Sequence, residues 1–176
     1  MAQTAKKQHG KSYANWREEY QAKLGTAQDA AKHIKSGDVI AMQGGTGIPP
    51  AIAEAIGKRG PELRNITCCQ GFALAFHEYM KPEHRDSFRI ETVFIGPAER
   101  FCMAMGTVDF VPNHLGNLGR WMDTKNINVV IATVTPPDEN GYMNRSCFGG
   151  LCTERAIDNA DVVLVEVNNN TPWLCS

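Results

Sequence analysis

A chain of 176 residues, 43% hydrophobic and 21% charged, has the length and composition of one soluble globular domain with a core that needs no staples. Its formal net charge of −1 argues against the basic face that a nucleic-acid or polyanion partner calls for. No stretch approaches the ~20 apolar residues of a membrane span, and the polar start lacks the apolar centre of a secretion signal, so a cytoplasmic address is expected.

Residues 1–11 read as a disordered lead, followed by one α/β domain over 12–176. Tyr13, Trp16, Tyr20 and Leu24 recur at helical spacing and predict an amphipathic helix over 12–24. Its aromatic face reads as a packing stripe. Thr26 is placed to cap a second helix, with Ala27, Ala30, Ala31 and Ile34 on its buried side, ending near Gly37. Next come a turn (Ser36, Gly37, Asp38), a short apolar strand over 39–42, and a glycine loop carrying Gly44, Gly45 and Gly47. Pro49 and Pro50 suit the first turn of the helix that follows, where a missing N–H costs nothing. Three glycines in four residues let backbone approach a ligand and leave amides near the positive end of that helix.

Further strands are predicted over 64–69, 90–95, 108–111, 127–134 and 161–167, with a short return strand over 142–146. Helices are predicted over 51–58, 72–80, 97–105, 114–122 and 152–159. The run 81–87 reads as a charged loop, and 135–141 is a strong turn signal. Alternating helices and short apolar strands call for an open, mainly parallel sheet with helices on both faces. The last strand lacks a covering helix, so the domain is expected to meet a further piece.

Six cysteines (Cys68, Cys69, Cys102, Cys147, Cys152, Cys175) contain no C-x-x-C pair, so no metal site is expected and most should behave as small buried hydrophobes. Cys68 and Cys69, adjacent in a strand, should face opposite sides. The glycine loop suits a dinucleotide only in part. The third glycine of G-x-G-x-x-G falls at Pro50, and Cys68 to Gly71 leave no acid for a ribose.

Several segments read together carry a different resemblance. They are Gly44-Gly45-Thr46-Gly47-Ile48-Pro49, the runs 94–100 (FIGPAER), 109–114 (DFVPNH) and 136–142 (PPDENGY), and Ala156 to Asp161 with Glu166 to Asn168. In this order they resemble the N-terminal domain of the acetyl-CoA hydrolase/transferase family, which includes acetate, butyrate and 4-hydroxybutyrate CoA-transferases. The resemblance implies coenzyme A as co-substrate and no bound cofactor. It also implies a glutamate that attacks the acyl-CoA and then carries CoA as a glutamyl thioester. In family members that glutamate, most of the CoA-binding loop and the main oxyanion donors lie in a C-terminal domain. This chain is thus expected to supply no catalytic residue of its own and to partner that domain, in a homo-oligomer. A non-catalytic subunit that binds CoA esters is the alternative.

Within the resemblance, Gly44, Gly45, Thr46 and Gly47 would line the acyl or carboxylate pocket, with Gln70 and Gly71 completing its wall and His114 orienting substrate. Replacing Gly45 with valine should clog the loop and depress activity more than stability. Arg100 would pair with a substrate anion, or with Glu99 or another surface acid. Glu139 belongs to a solvated turn and is no nucleophile. Glu166 and Asn168 stand at the pocket edge or an interface. Departures from the family pattern at 114–119, 143–146 and 170–173 fall in loops expected to face substrate.

Overall fold

The structure, a computed structural model, describes residues 14–146 and 153–174. The apolar run Val39–Met42 forms β1; the other strands are β2 (Ile66–Gln70), β3 (Phe88–Thr92), β4 (Val108–Phe110), β5 (Val129–Val134) and β6 (Val162–Val167). They lie in the order β4-β3-β2-β1-β5-β6, and every neighbouring pair is parallel. The chain steps outward from β1 to β4, then returns to the other side of β1 with β5. Loops leaving β1 and β5 therefore diverge, which makes their carboxyl ends the place where an open sheet takes a ligand.

Both faces are covered, which is why β5 is buried at every residue and shows no alternation. On one face Ile40, Met42, Val129 and Ile131 pack with Ile52, Ala53 and Ile56 of α3 (Pro50–Lys58), Ala31 of α2 (Ala27–Ala31) and Cys102 of α4 (Pro97–Ala104). On the other, Ala41, Val130 and Ala132 meet Leu118, Trp121 and Met122 of α5 (Leu118–Asp123) and Ala156 of α6 (Glu154–Asn159). Cys68 joins the first cluster and Cys69 the second, as their alternation requires. Burial pushes the Cys69 thiol up to about 12 and drives that of Cys68 higher still, so neither is a thiolate near neutrality. Cys147, Cys152 and Cys175 lie outside the described residues.

α1 (Trp16–Lys23) buries none of its residues. It rests instead on the turn after β5, where a Cβ at Gly141 would come within 2.7 Å of Trp16 Cγ. Tyr13, the first member of the predicted stripe, is outside the described residues. Thr26 caps α2 as expected, its hydroxyl accepting from Asp29 N while Asp29 answers from its side chain, but the helix stops at Ala31.

Several expectations are corrected. No α-helix forms over 72–80; only a 3₁₀ turn stands there, at Glu78–Met80. The reason is tertiary: the Phe72 carbonyl, which a helix would use for its first bond, accepts from Gly45 N, and Glu99 holds the adjacent Ala73 amide against α4. β3 lies at 88–92 and not 90–95, because the Thr92 hydroxyl sits 2.8 Å from the Phe94 carbonyl and 3.3 Å from its N–H, closing a turn that ends the strand. The segment 114–122 opens as a 3₁₀ turn, Leu115–Asn117, before α5. No strand forms over 142–146. There Asp138 Oδ1 accepts from the amides of Asn140 (2.9 Å) and Tyr142 (2.8 Å), folding the chain into a turn on which Glu139 is exposed.

Candidate functional site

Gln43 follows β1 and organises the switch point. It is 0% exposed, its amide oxygen accepts from Thr133 N (2.9 Å), and its Nε2 donates to Arg145 O (3.0 Å). One side chain thus ties β1 to β5 and to the loop beyond. The glycine loop turns immediately above it as a 3₁₀ turn, Gly45–Gly47. Gly45 has φ of 56°, a backbone state costly for residues with a Cβ, and its N–H donates to Phe72 O at 2.7 Å. Gly47 presses on Gln43 so closely that a Cβ would lie 2.5 Å from Gln43 Cδ.

The amino end of α3, near which the glycine-loop amides were expected to meet a ligand, is already occupied. Glu166, near the end of β6, accepts from Ala51 N and Ile52 N with one oxygen, each at 3.0 Å. A carboxylate there satisfies amides a helix leaves unpaired and suits the helix dipole. It also takes the amides a dinucleotide pyrophosphate would need, which weighs against that alternative. Replacing Glu166 with alanine is expected to lower stability by about 1–2 kcal/mol, the usual cost of a lost cap, with glutamine intermediate. A urea midpoint unchanged in Glu166→Ala would show the contact to be idle.

Between the glycine loop and the chain after β6 lies a cleft of about 260 Å³. Thr46 and Gly47 of the loop line it together with Thr133, Arg145 and Ser146 and with Asn168 and residues 170–172 after β6. The chain beyond β5 and the chain beyond β6 are joined, since Ser146 Oγ donates to Pro172 O (2.7 Å) and Asn144 Nδ2 to Leu174 O (2.8 Å). Thr133 is 4% exposed, and its hydroxyl has no hydrogen-bond partner among the described residues. A second cavity, bordered by Gly60, Arg64, His84 and Ser87, flanks the amino ends of β2 and β3, the opposite edge of the sheet.

The nominated residues therefore separate. Thr46 and Gly47 reach the cleft, while Gly44 and Gly45 are buried beside it. Gln70 is 0% exposed and accepts from the Tyr79 hydroxyl at 2.6 Å; Gly71 is buried with its carbonyl on the Thr92 hydroxyl. His114 is exposed and follows β4, the edge strand separated from β1 by β3 and β2. Arg100 is exposed, whereas Glu99 turns inward to Ala73 N and Gly96 N, so the two side chains do not pair. Two departures from the family pattern, at 143–146 and 170–173, do contribute to the cleft wall. Thr133 was missed, although a lone threonine among Val129, Val130, Ile131, Ala132 and Val134 is itself a signal.

A doubly wound parallel sheet with a cleft at its switch point defines an open α/β domain with a candidate site at the carboxyl ends of β1 and β5. The chain belongs to the acetyl-CoA hydrolase/transferase family, whose N-terminal domain model matches residues 3–176. It is 33% identical over 163 residues to a butyryl-CoA:acetate CoA-transferase of Anaerostipes caccae, covering 90% of this chain and 36% of that protein. With a 4-hydroxybutyrate coenzyme A transferase of Clostridium kluyveri it shares 26% over 162 residues, covering 89% of this chain and 37% of the relative. Among solved structures, RipA from Yersinia pestis superposes with a TM-score of 0.79 at 22% identity, over 90% of this chain and 39% of that one. A 4-hydroxybutyrate CoA-transferase from Porphyromonas gingivalis gives 0.71 at 20%, over 92% and 37%. The chain thus spans a little over a third of the length of these relatives. Among the described residues no helix is long and apolar enough to cross a membrane.

Proposed function

We propose that this chain forms one wall of the acyl-exchange cleft of an acyl-CoA:carboxylate CoA-transferase for short acids of the acetate, butyrate or 4-hydroxybutyrate kind. The observation that carries the reading is a polar cleft at the β1/β5 switch point in a domain of this family. Coenzyme A enters as co-substrate. The glutamate that forms the thioester comes from outside these residues, which leaves this chain to position the acid and shield it from water.

Leu74, Phe76, Phe94 and Phe101 are exposed on loops and a helix beyond the carboxyl ends of β2 and β3, with the rings of Phe76 and Phe101 5.7 Å apart. We assign that apolar face to the carboxy-terminal remainder that the relatives' extra length provides. The test is CoA exchange between acetyl-CoA and butyrate, run with the chain alone and with its carboxy-terminal counterpart added. Turnover is expected only with both pieces. Robust turnover by the 176 residues alone would place the nucleophile inside this chain and overturn the reading. A mixture that binds acyl-CoA without exchanging it would favour the non-catalytic subunit.

A further inference from the structure

We infer that Trp16 is a positioning residue for the switch-point cleft. From the outer helix α1 it seats the turn over 138–142, and that turn leads directly into Asn144, Arg145 and Ser146 at the cleft. The inference deepens the transferase reading and rests on it for the reaction the cleft serves.

The first observation is an interlock. α1 buries none of its residues and adds nothing to the core, yet Trp16 lies half-buried against Gly141. A Cβ at Gly141 would fall 2.7 Å from Trp16 Cγ, 2.8 Å from Cδ2 and 3.1 Å from Cβ, inside any normal carbon contact. Position 141 also has φ of 90°, where a side chain is strained. The Arg17 guanidinium stands 4.3 Å from the centre of the Trp16 ring, and its Nη2 comes within 3.5 Å of the Glu139 carbonyl. Ring and cation thus grip two residues of one turn.

The second is what depends on that turn. Its own bonds close it, Asp138 N donating to Tyr142 O at 2.9 Å and Gly141 N to Asp138 O at 3.1 Å. Beyond it Thr135 N donates to Asn144 O, and Asn144 N to the Thr135 hydroxyl, both at 2.9 Å. Arg145 and Ser146 come next and line the cleft. The Arg145 carbonyl accepts from Gln43, which ties β1 to β5, while Asn144 Nδ2 and Ser146 Oγ donate to the chain after β6. Three consecutive residues therefore join the parts that border the cleft.

The third is strain. Ser146 has φ of 50°, a left-handed backbone state unfavourable for a residue with a Cβ. Such states persist only where their surroundings enforce them, and they gather at ligand sites. Ser146 is held ahead by its bond to Pro172 O and behind by Asn144, whose Oδ1 accepts from Ser146 N at 2.7 Å. Behind Asn144 stands the turn, with Glu139, Asn140 and Tyr142 exposed and α1 packed on its tip. Removing the indole frees that tip, lets Ser146 relax and loosens the wall, at little expense to the core.

The test compares Trp16→Ala, Trp16→Phe and the parent chain. Each is ¹⁵N-labelled for amide hydrogen exchange and then assayed for CoA exchange with the carboxy-terminal counterpart. In Trp16→Ala the amides of Tyr142, Asn144 and Ser146 should exchange at least about tenfold faster, while those of β1 and β5 keep the parent's rates. Its urea midpoint should hardly shift. The butyrate KM should rise about five- to tenfold with kcat held within about twofold, the mark of a misplaced acid; a smaller folded fraction would lower the apparent kcat instead. Trp16→Phe, which keeps a ring against Gly141, should reverse most of both effects. Gly141→Ala should loosen the same amides, but add less in the Trp16→Ala chain, where only backbone strain is left to act. Unchanged exchange at the three amides overturns the inference. So does a uniform rise that includes β1 and β5, which would make Trp16 a residue of global stability. A loosened turn with the parent's KM overturns it too, because the cleft would then not depend on the turn. If the turn loosens through Ser146 but even the parent mixture transfers no CoA, the transferase reading fails and the seating of the cleft wall stands.

Discussion

Replacing Glu99 with alanine is expected to destabilise the chain by about 3 kcal/mol or more, the cost of leaving two interior amides without an acceptor at about 1–3 kcal/mol each. For a domain of this length that is a fall of roughly 6–12 °C in thermal midpoint. Glu99 is 0% exposed, and its two oxygens accept from Ala73 N (2.5 Å) and Gly96 N (3.0 Å). The carboxylate stands in the first turn of α4, where the helix end favours negative charge. Its removal would release the start of the 72–77 loop, whose Phe72 carbonyl holds Gly45 N. The damage should therefore spread to the glycine loop and weaken ligand binding as well as folding. Glu99→Gln, which keeps one good acceptor, should lose about half as much. A urea midpoint for Glu99→Ala equal to that of the parent would show that the buried carboxylate does not hold these loops together.

Glu99 also shows where reading the residues in order runs out. A glutamate followed by Arg100 on a helix looks like half of a surface ion pair, and nothing local says that its oxygens turn inward to Ala73, 26 residues away in sequence. The same tertiary bond hides the true state of 72–80, whose composition suits a helix until Glu99 and Gly45 claim its first groups. What was legible was whatever burial on both faces imposes: β1 at 39–42, the fully buried β5, and the parallel layering. The glycine loop was legible as a close approach, but not what it approaches. At Gly47 the neighbour is the protein's own Gln43, and the helix amides beyond it belong to Glu166, brought in from a strand more than a hundred residues later. Partner identity at a switch point depends on strand order, and only pairing β5 beside β1 brings Thr133 under the loop.

Gly47→Ala tests that arrangement most directly, with an expected loss of about 2–4 kcal/mol from displacing an interior side chain and breaking two of its hydrogen bonds. The added Cβ would meet Gln43 Cδ at 2.5 Å and both Cγ and Oε1 at 2.7 Å. Gln43 has nowhere to retreat, because Thr133 N and Arg145 O hold its amide from two directions. Moving it would disturb Thr133 and Arg145 together, both of which line the cleft, so CoA exchange in the two-piece mixture should fall along with stability. Gly45→Val makes a useful contrast: at φ of 56° in a buried position the β-branched side chain adds backbone strain of about 1–2 kcal/mol or more, so stability suffers there too and the expectation of a mainly functional effect no longer holds. A double-mutant cycle separates the causes. Gln43→Ala alone should be costly, since it orphans Thr133 N, but Gly47→Ala should then add far less than it does in the parent. If the cost of Gly47→Ala in urea unfolding is the same with or without the Gln43 side chain, contact between the two is not what keeps position 47 bare, and the loop owes its shape to something other than the β1–β5 tie.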